Sequence, residues 1–211
     1  MIKQIAISPS YSNKIVFTDY YPNRKQFFSL FIHYYEDTPI VYETLGEIME
    51  LILNFMKDNL LLDKIKLQNF MNDLNWISAG KLRNLPLYNQ GLSLALLIID
   101  DNKIKAVRYG RMLMGKISEK NIQPIGPEWD NFSIKSLDRL ALLGLQSEDN
   151  YPEFFEIELT NNEKFVILES DSEVAFRESI TSGKQFKPKR EIYQILECHR
   201  KENRKKILGI I

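Results

Sequence analysis

Few residues in this chain have the types and spacing that chemistry requires. Cys198 and His199 are neighbours, and a thiol beside an imidazole is the material of a nucleophile and its base. Both lie in a stretch that reads as a charged helix, where adjacent side chains point in different directions, so the pair does not assemble there. Cys198 is the only cysteine; with His33 and His199 as the only histidines, no internal disulfide and no ordinary zinc site can form. His33 falls in an aromatic strand and reads as a hydrogen-bonded or rim histidine. The basic runs KPKR (187–190) and HRKENRKK (199–206) read as solvated surface, with an acidic or phosphate partner as the alternative.

Composition narrows the class further. The 211 residues fit one domain spanning 1–211, large enough to bury a core without staples. Twenty-eight basic residues balance twenty-eight acidic ones, which removes the electrostatic case for nucleic acid or an anionic membrane as partner. The start, Met1-Ile2-Lys3-Gln4, has no signal-peptide pattern, and no apolar run approaches a membrane span, so the cytoplasm is the expected compartment. Balanced charge is compatible with a homo-oligomer without requiring one.

The elements that would position any site alternate between two periods. Residues 2–8, 14–18 and 27–35 read as strands. Leu45, Ile48, Met49, Ile52, Phe55 and Met56 then recur at helical spacing and predict a helix over 43–59. A second helix is predicted over 63–77, with Leu67, Phe70, Met71, Leu74 and Ile77 as its apolar stripe, antiparallel to the first and covering one face of a sheet. Residues 92–100 are almost continuously apolar, as a central strand should be. A turn at Asp101-Asn102 leads to 104–110, and 111–117 continues it or forms a third strand, together a hairpin or meander.

Ser133 is placed to cap a short helix over 134–143, with Gly144 as its stop. Residues 154–159 and 164–170, around Asn161-Asn162, read as another hairpin. Helices over 173–180 and 190–203 and an edge strand at 206–211 complete the expectation. Consecutive hairpins with helices outside imply an α/β (α+β) four-layer αββα sandwich of mainly antiparallel sheets.

The strand order resembles that of the PP2C-type metal-dependent protein phosphatases. Gly91-Leu92-Ser93 enters ALLIIDDNKIKAV and is followed by Arg108-Tyr109-Gly110-Arg111, where that family has a Gly-Ser/Thr-Thr entry and then Val-Gly-Asp-Ser-Arg. FEIELTNNEKFVILESDSEV resembles the family's later pair of strands, with Ser170-Asp171 at its Ser-Asp. LALLGL (140–145) is similar to a segment that precedes that pair, and FSLFIHYYED with its helix resembles the family's first acidic motif. The resemblance implies two bound Mg²⁺ or Mn²⁺ ions held by carboxylates that activate a water.

Several of those carboxylates are replaced here. The family's Asp-Gly-Met-Gly-Gly becomes a stretch near Tyr34, Tyr35 and Glu36, and its Gly-Asp-Ser-Arg becomes Gly110-Arg111-Met112. Asp171 is the one metal position the resemblance carries over, with Asp19 a weaker match. Asp171 or Ser172 also reads as the cap of the 173–180 helix, and Glu36 and Asp37 as a strand-to-helix loop.

The expectation is therefore a pseudophosphatase-like domain without catalytic residues or cofactor, binding a protein partner. A divergent phosphatase or other metal hydrolase using Mg²⁺ or Mn²⁺ is the alternative, with Asp19, Glu36, Asp37, Asp100 and Asp171 as its ligands. A proteasome-like sandwich subunit is a third reading. Ile2 cannot act as the N-terminal nucleophile which that fold's chemistry needs. The aromatic run Tyr20-Tyr21, Phe27-Phe28, Phe31 and Tyr34-Tyr35 reads as core, or as a protein-binding face where exposed.

Overall fold

A computed structural model describes residues 2–7, 14–21, 26–34, 39–58, 64–85, 91–100, 102–110, 112–118, 121–126, 142–145, 151–160, 163–169 and 192–198. The first three strands are β1 (Ile2–Ile7), β2 (Lys14–Tyr21) and β3 (Gln26–His33). Two helices follow, α1 (Pro39–Asp58) and α2 (Lys64–Leu82). The remaining strands are β4 (Ser93–Asp100), β5 (Lys103–Tyr109), β6 (Met112–Ser118), β7 (Asn121–Ile125), β8 (Glu153–Glu158), β9 (Lys164–Glu169) and β10 (Ile192–Cys198).

They form two five-stranded sheets, ordered β2-β3-β4-β5-β8 and β1-β10-β9-β6-β7. Every strand pairing is antiparallel. Of the four layers expected, the described residues supply three: the helix pair, the first sheet and the second sheet.

Two cores hold the layers together, and strand alternation decides which residue joins which. Phe28, Leu30 and Ile32 of β3, with Leu94, Leu96 and Ile98 of β4, face the helices and meet Val41, Leu45, Ile48, Ile52 and Met56 of α1. The intervening Phe31, Ala95, Leu97 and Ile99 face the second sheet, against Met112, Met114, Phe165 and Ile167. β4 is thus buried on both faces, as its unbroken apolar run demands. Phe28, Phe31 and Tyr34 are core, while Phe27 is partly exposed.

Helix α1 begins earlier than the pattern predicted because Pro39 suits a first helical position, where no N–H bond is lost. Helix α2 runs past Ile77 to Leu82. Its buried side beyond Leu74 includes Asn75, Ser78 and Ala79, small or polar residues that an apolar-stripe reading passes over. Asn75 is buried because its amide is used: Oδ1 accepts from the Gly144 N–H at 2.7 Å and Nδ2 donates to the Leu145 carbonyl at 3.1 Å. Leu143 bridges Leu92 rather than ending a helix, and 134–141 lies outside the described residues.

The expected hairpin between 92–100 and 104–110 forms, β4 pairing antiparallel with β5, but its extension to 111–117 and the second expected hairpin do not. Residues 154–159 and 164–170 do form strands, but β8 pairs with β5 in the first sheet and β9 with β6 and β10 in the second. Likewise β5 and β6 belong to different sheets, joined through Gly110. The expected helix over 190–203 is, within 192–198, the strand β10 between β1 and β9. A register shift between Ile192 and Gln194 puts an extra residue in β10 and interrupts the period-2 pattern at its start. β7 was not anticipated at all. The expected elements at 173–180 and 206–211 lie outside the described residues.

Candidate functional site

The segments that carry the resemblance converge on one end of the sandwich. His33 closes β3 opposite Ser93, which opens β4. Leu94 pairs with Tyr109 at the end of β5, and Met112 at the start of β6 pairs with Glu169 at the end of β9. Tyr34, Gly110 and the exit toward Ser170-Asp171 therefore share this end. Tyr34 is fully buried in the helix-side core. Tyr35, Glu36, Asp37, Arg111, Asp171 and His199 lie outside the described residues.

Gly110 makes the step from one sheet to the other. Its φ of +79° is left-handed, and a Cβ there would sit 2.9 Å from the Ser93 Cα and 2.8 Å from a Leu142 methyl. Only glycine meets both conditions. Ser93 is itself buried against this turn.

Arg108, two residues earlier, is the largest fully buried side chain among the described residues. It shares its face of β5 with Ile104 and Ala106, so its guanidinium enters the space between the sheets. Nε donates to Glu153 Oε2 at 2.8 Å, and Nη2 pairs with the same carboxylate oxygen. Nη1 donates to the Met112 carbonyl at 2.9 Å, which closes the turn around Gly110. The guanidinium also lies 5.3 Å from the Phe155 ring centroid. A buried cation is tolerated only when its donors are used, and these contacts use them.

Tyr109 points the other way, into the helix-side core. Burial pushes its phenol well above the usual tyrosine range, so it stays neutral at any physiological pH. Its hydroxyl has no hydrogen-bond partner among the described residues.

The other sequence candidates are dispersed. Asp19 is exposed on β2 opposite Phe28, and Asp100 ends β4 opposite Gln26, whose Nε2 donates to Asp100 Oδ2 at 3.4 Å. Both lie on the helix-facing side of the first sheet, toward its far end. From Ser93 to Asp100 is about 23 Å along the strand, and from Lys14, opposite His33, to Asp19 about 17 Å. Neither reaches the end where β9 finishes at Glu169. Among the described residues no three His, Cys, Asp or Glu side chains are grouped to hold a metal, and the candidates Glu36, Asp37 and Asp171 lie outside those residues. Cys198 sits in a strand opposite Ile2, not on a helix, and His33 is a half-buried rim residue.

No family model matches the chain, and no curated protein matches it. Solved structures do. The catalytic domain of the serine/threonine protein phosphatase PstP, in complex with two manganese ions, superposes with a TM-score of 0.60 at 10% identity, over 94% of this chain and 99% of that one. Stp1, a serine/threonine phosphatase from Staphylococcus aureus, gives 0.56 at 8% identity over 93% and 92%. RsbX in complex with magnesium gives 0.53 at 13% identity over 92% of each chain.

The chain has the PP2C-type phosphatase fold.

The PP2C-type fold was legible in the order of strands, and its distinctive residue here was not. In the sequence Arg108 stands inside a motif segment with nothing that pairs it with the distant Glu153. The signal was present: in IKAVRYG the arginine falls in phase with Ile104 and Ala106, on the side that must be buried.

Proposed function

We propose that residues 1–211 form one PP2C-type domain, cytoplasmic and non-catalytic, that acts by binding another protein. The observation that carries this reading is Arg108. Its guanidinium, with Glu153 and Phe155, fills the inter-sheet space at the end where the motif segments meet. Beside it Gly110-Arg111 stands where the family has Gly-Asp, a second cation in place of an acid. Glu153 compensates the Arg108 charge, but their ion pair occupies this space with groups already engaged, and Arg111 in place of an acid removes a ligand and adds a charge that disfavours a divalent cation. No described helix is long and apolar enough to cross a membrane.

The second reading, a divergent metal-dependent phosphatase, is favoured by one feature. β9 ends with Glu169 opposite Met112, at the motif end, and Asp171 is two residues farther along the sequence. In that case Mg²⁺ or Mn²⁺ would be held by Asp171 with residues outside the described set, and Asp19 is too far along β2 to share the site.

Titration calorimetry with Mn²⁺ and Mg²⁺, followed by aryl-phosphate turnover on the same sample, separates the two. The binding-domain reading expects neither saturable binding nor turnover. Saturable binding together with turnover that disappears in Asp171→Ala would replace it with the phosphatase.

A further inference from the structure

Residues 142–145 are gripped from two sides. On the helix side, the Gly144 N–H donates to Asn75 Oδ1 at 2.7 Å, and Asn75 Nδ2 donates to the Leu145 carbonyl at 3.1 Å. On the sheet side, Leu143 exchanges two backbone bonds with Leu92, 2.8 and 3.0 Å long, just ahead of β4. One side-chain amide and one bridge thus tie the same four residues to α2 and to the first sheet. An apolar residue at position 75 would extend the stripe of α2 but could not hold backbone. A buried amide is tolerated there because both of its ends are used.

Packing along the segment leaves no slack. Gly144, at φ +88°, lies against α2, where a Cβ would overlap Leu82 Cδ1 and come 3.5 Å from the Ala79 nitrogen. Gly91, at φ +62°, meets the segment from the sheet side, and a Cβ there would sit 2.8 Å from Leu142 Cβ and 2.9 Å from the Leu143 carbonyl oxygen. Leu142 also supplies the methyl that closes on Gly110. A continuous path therefore runs from Asn75 through Gly144 and Leu143 to Leu142, and it ends on the turn between β5 and β6. Close-packed interiors have low compressibility and pass strain from one group to the next.

We propose that 142–145 is a strap by which the helix layer fixes the β5–β6 turn, with Asn75 as its positioning residue, so that the second half of α2 and the turn open as one unit. The inference is independent of whether the motif end catalyses anything, so its failure leaves the proposed function untouched.

Native-state hydrogen exchange of the full chain tests it, each variant being read at the opposite end of the strap from its substitution. Asn75→Ala should speed exchange over 108–113 about tenfold beyond what its loss of global stability in urea accounts for. Leu142→Ala keeps the Cβ against Gly91 and removes the methyl against Gly110, and it should speed exchange over 76–82 in the same way. Combining the two should add little to either, because a link in series is already broken by one. Ile48→Ala, a core truncation on α1, should affect both segments only through global stability. The proposal is overturned if either remote segment exchanges as global stability alone dictates. It is equally overturned if the double variant shows the full sum of the single effects, or if Ile48→Ala loosens the turn as Asn75→Ala does.

Discussion

Among the described strands the chain passes between the sheets four times, and two of those connections, β5 to β6 and β8 to β9, are built from opposite materials. At the motif end, β5 passes to β6 through Gly110, and the step is held by a guanidinium buried between the sheets. At the far end, β8 passes to β9 through residues 159–163, held by a carboxylate. The Leu159 N–H donates to the Asn102 carbonyl at 2.9 Å, and the Thr160 N–H donates to Glu163 Oε2 at 2.7 Å. Lys116 Nζ lies 3.2 Å from the same Glu163 oxygen.

The two pairs differ in how their charge is compensated. The Arg108 side chain has no exposure, and Glu153 retains about a third of its own, 36%. The cation therefore depends on one carboxylate, one carbonyl and an aromatic face. Glu163 is a short cap on its own turn with a lysine attached, and water still reaches both partners, at 17% and 20% exposure. The first connection is rigid because a change there strands a charge. The second is adjustable because a lost bond can be replaced by solvent.

Breaking the first connection should have the larger effects. Glu153→Ala leaves the Arg108 guanidinium buried without its carboxylate and should cost about 3–5 kcal/mol in urea unfolding. If the loss is under about 1 kcal/mol, the pair is no more than a surface contact and the contrast between the two ends disappears. Gly110→Ala forces a left-handed φ on a residue with a Cβ and drives that Cβ into Ser93, so about 2–3 kcal/mol is expected from the same measurement.

Changes at the second connection should be smaller and should depend on pH. Burial works to raise the Glu163 carboxyl, but the backbone and side-chain bonds from Thr160 and the Lys116 ammonium outweigh it and hold it below the usual carboxylate range. A carboxyl lowered in the folded state contributes stability above its unfolded value, near 4.5, and loses it as pH falls through the folded value. Glu163→Gln should therefore cost less than about 1 kcal/mol at neutral pH. It should also flatten the fall in stability below pH 4.5, measured by thermal unfolding across that window. An unchanged acid limb would mean that other carboxylates dominate it.

The same two connections show where sequence reasoning stopped. Gly110-Arg111 and Asn161-Asn162 are turn-forming pairs between strands, and locally each is indistinguishable from a hairpin loop. Whether the next strand pairs with the last one or crosses to another sheet depends on which edges are open, and that is a property of the whole sandwich. β10 was misread for a related reason. Its place between β1 and β9 is set by pairing with distant strands, and the irregularity between Ile192 and Gln194 interrupts the local alternation.

By itself the sequence determined what short-range periodicity can encode. Apolar spacing defined α1 and most of α2, a continuous apolar run marked β4 as central, and the order of segments carried the resemblance to the PP2C-type fold. Tertiary structure alone decided the assignment of strands to sheets and the separation of Asp19 and Asp100 from the motif end. It also placed Arg108 between the layers rather than on the surface. Each of these is set by contacts between residues far apart in the chain, where free energy is gained only once the sheets have packed. No window of neighbouring residues contains that information.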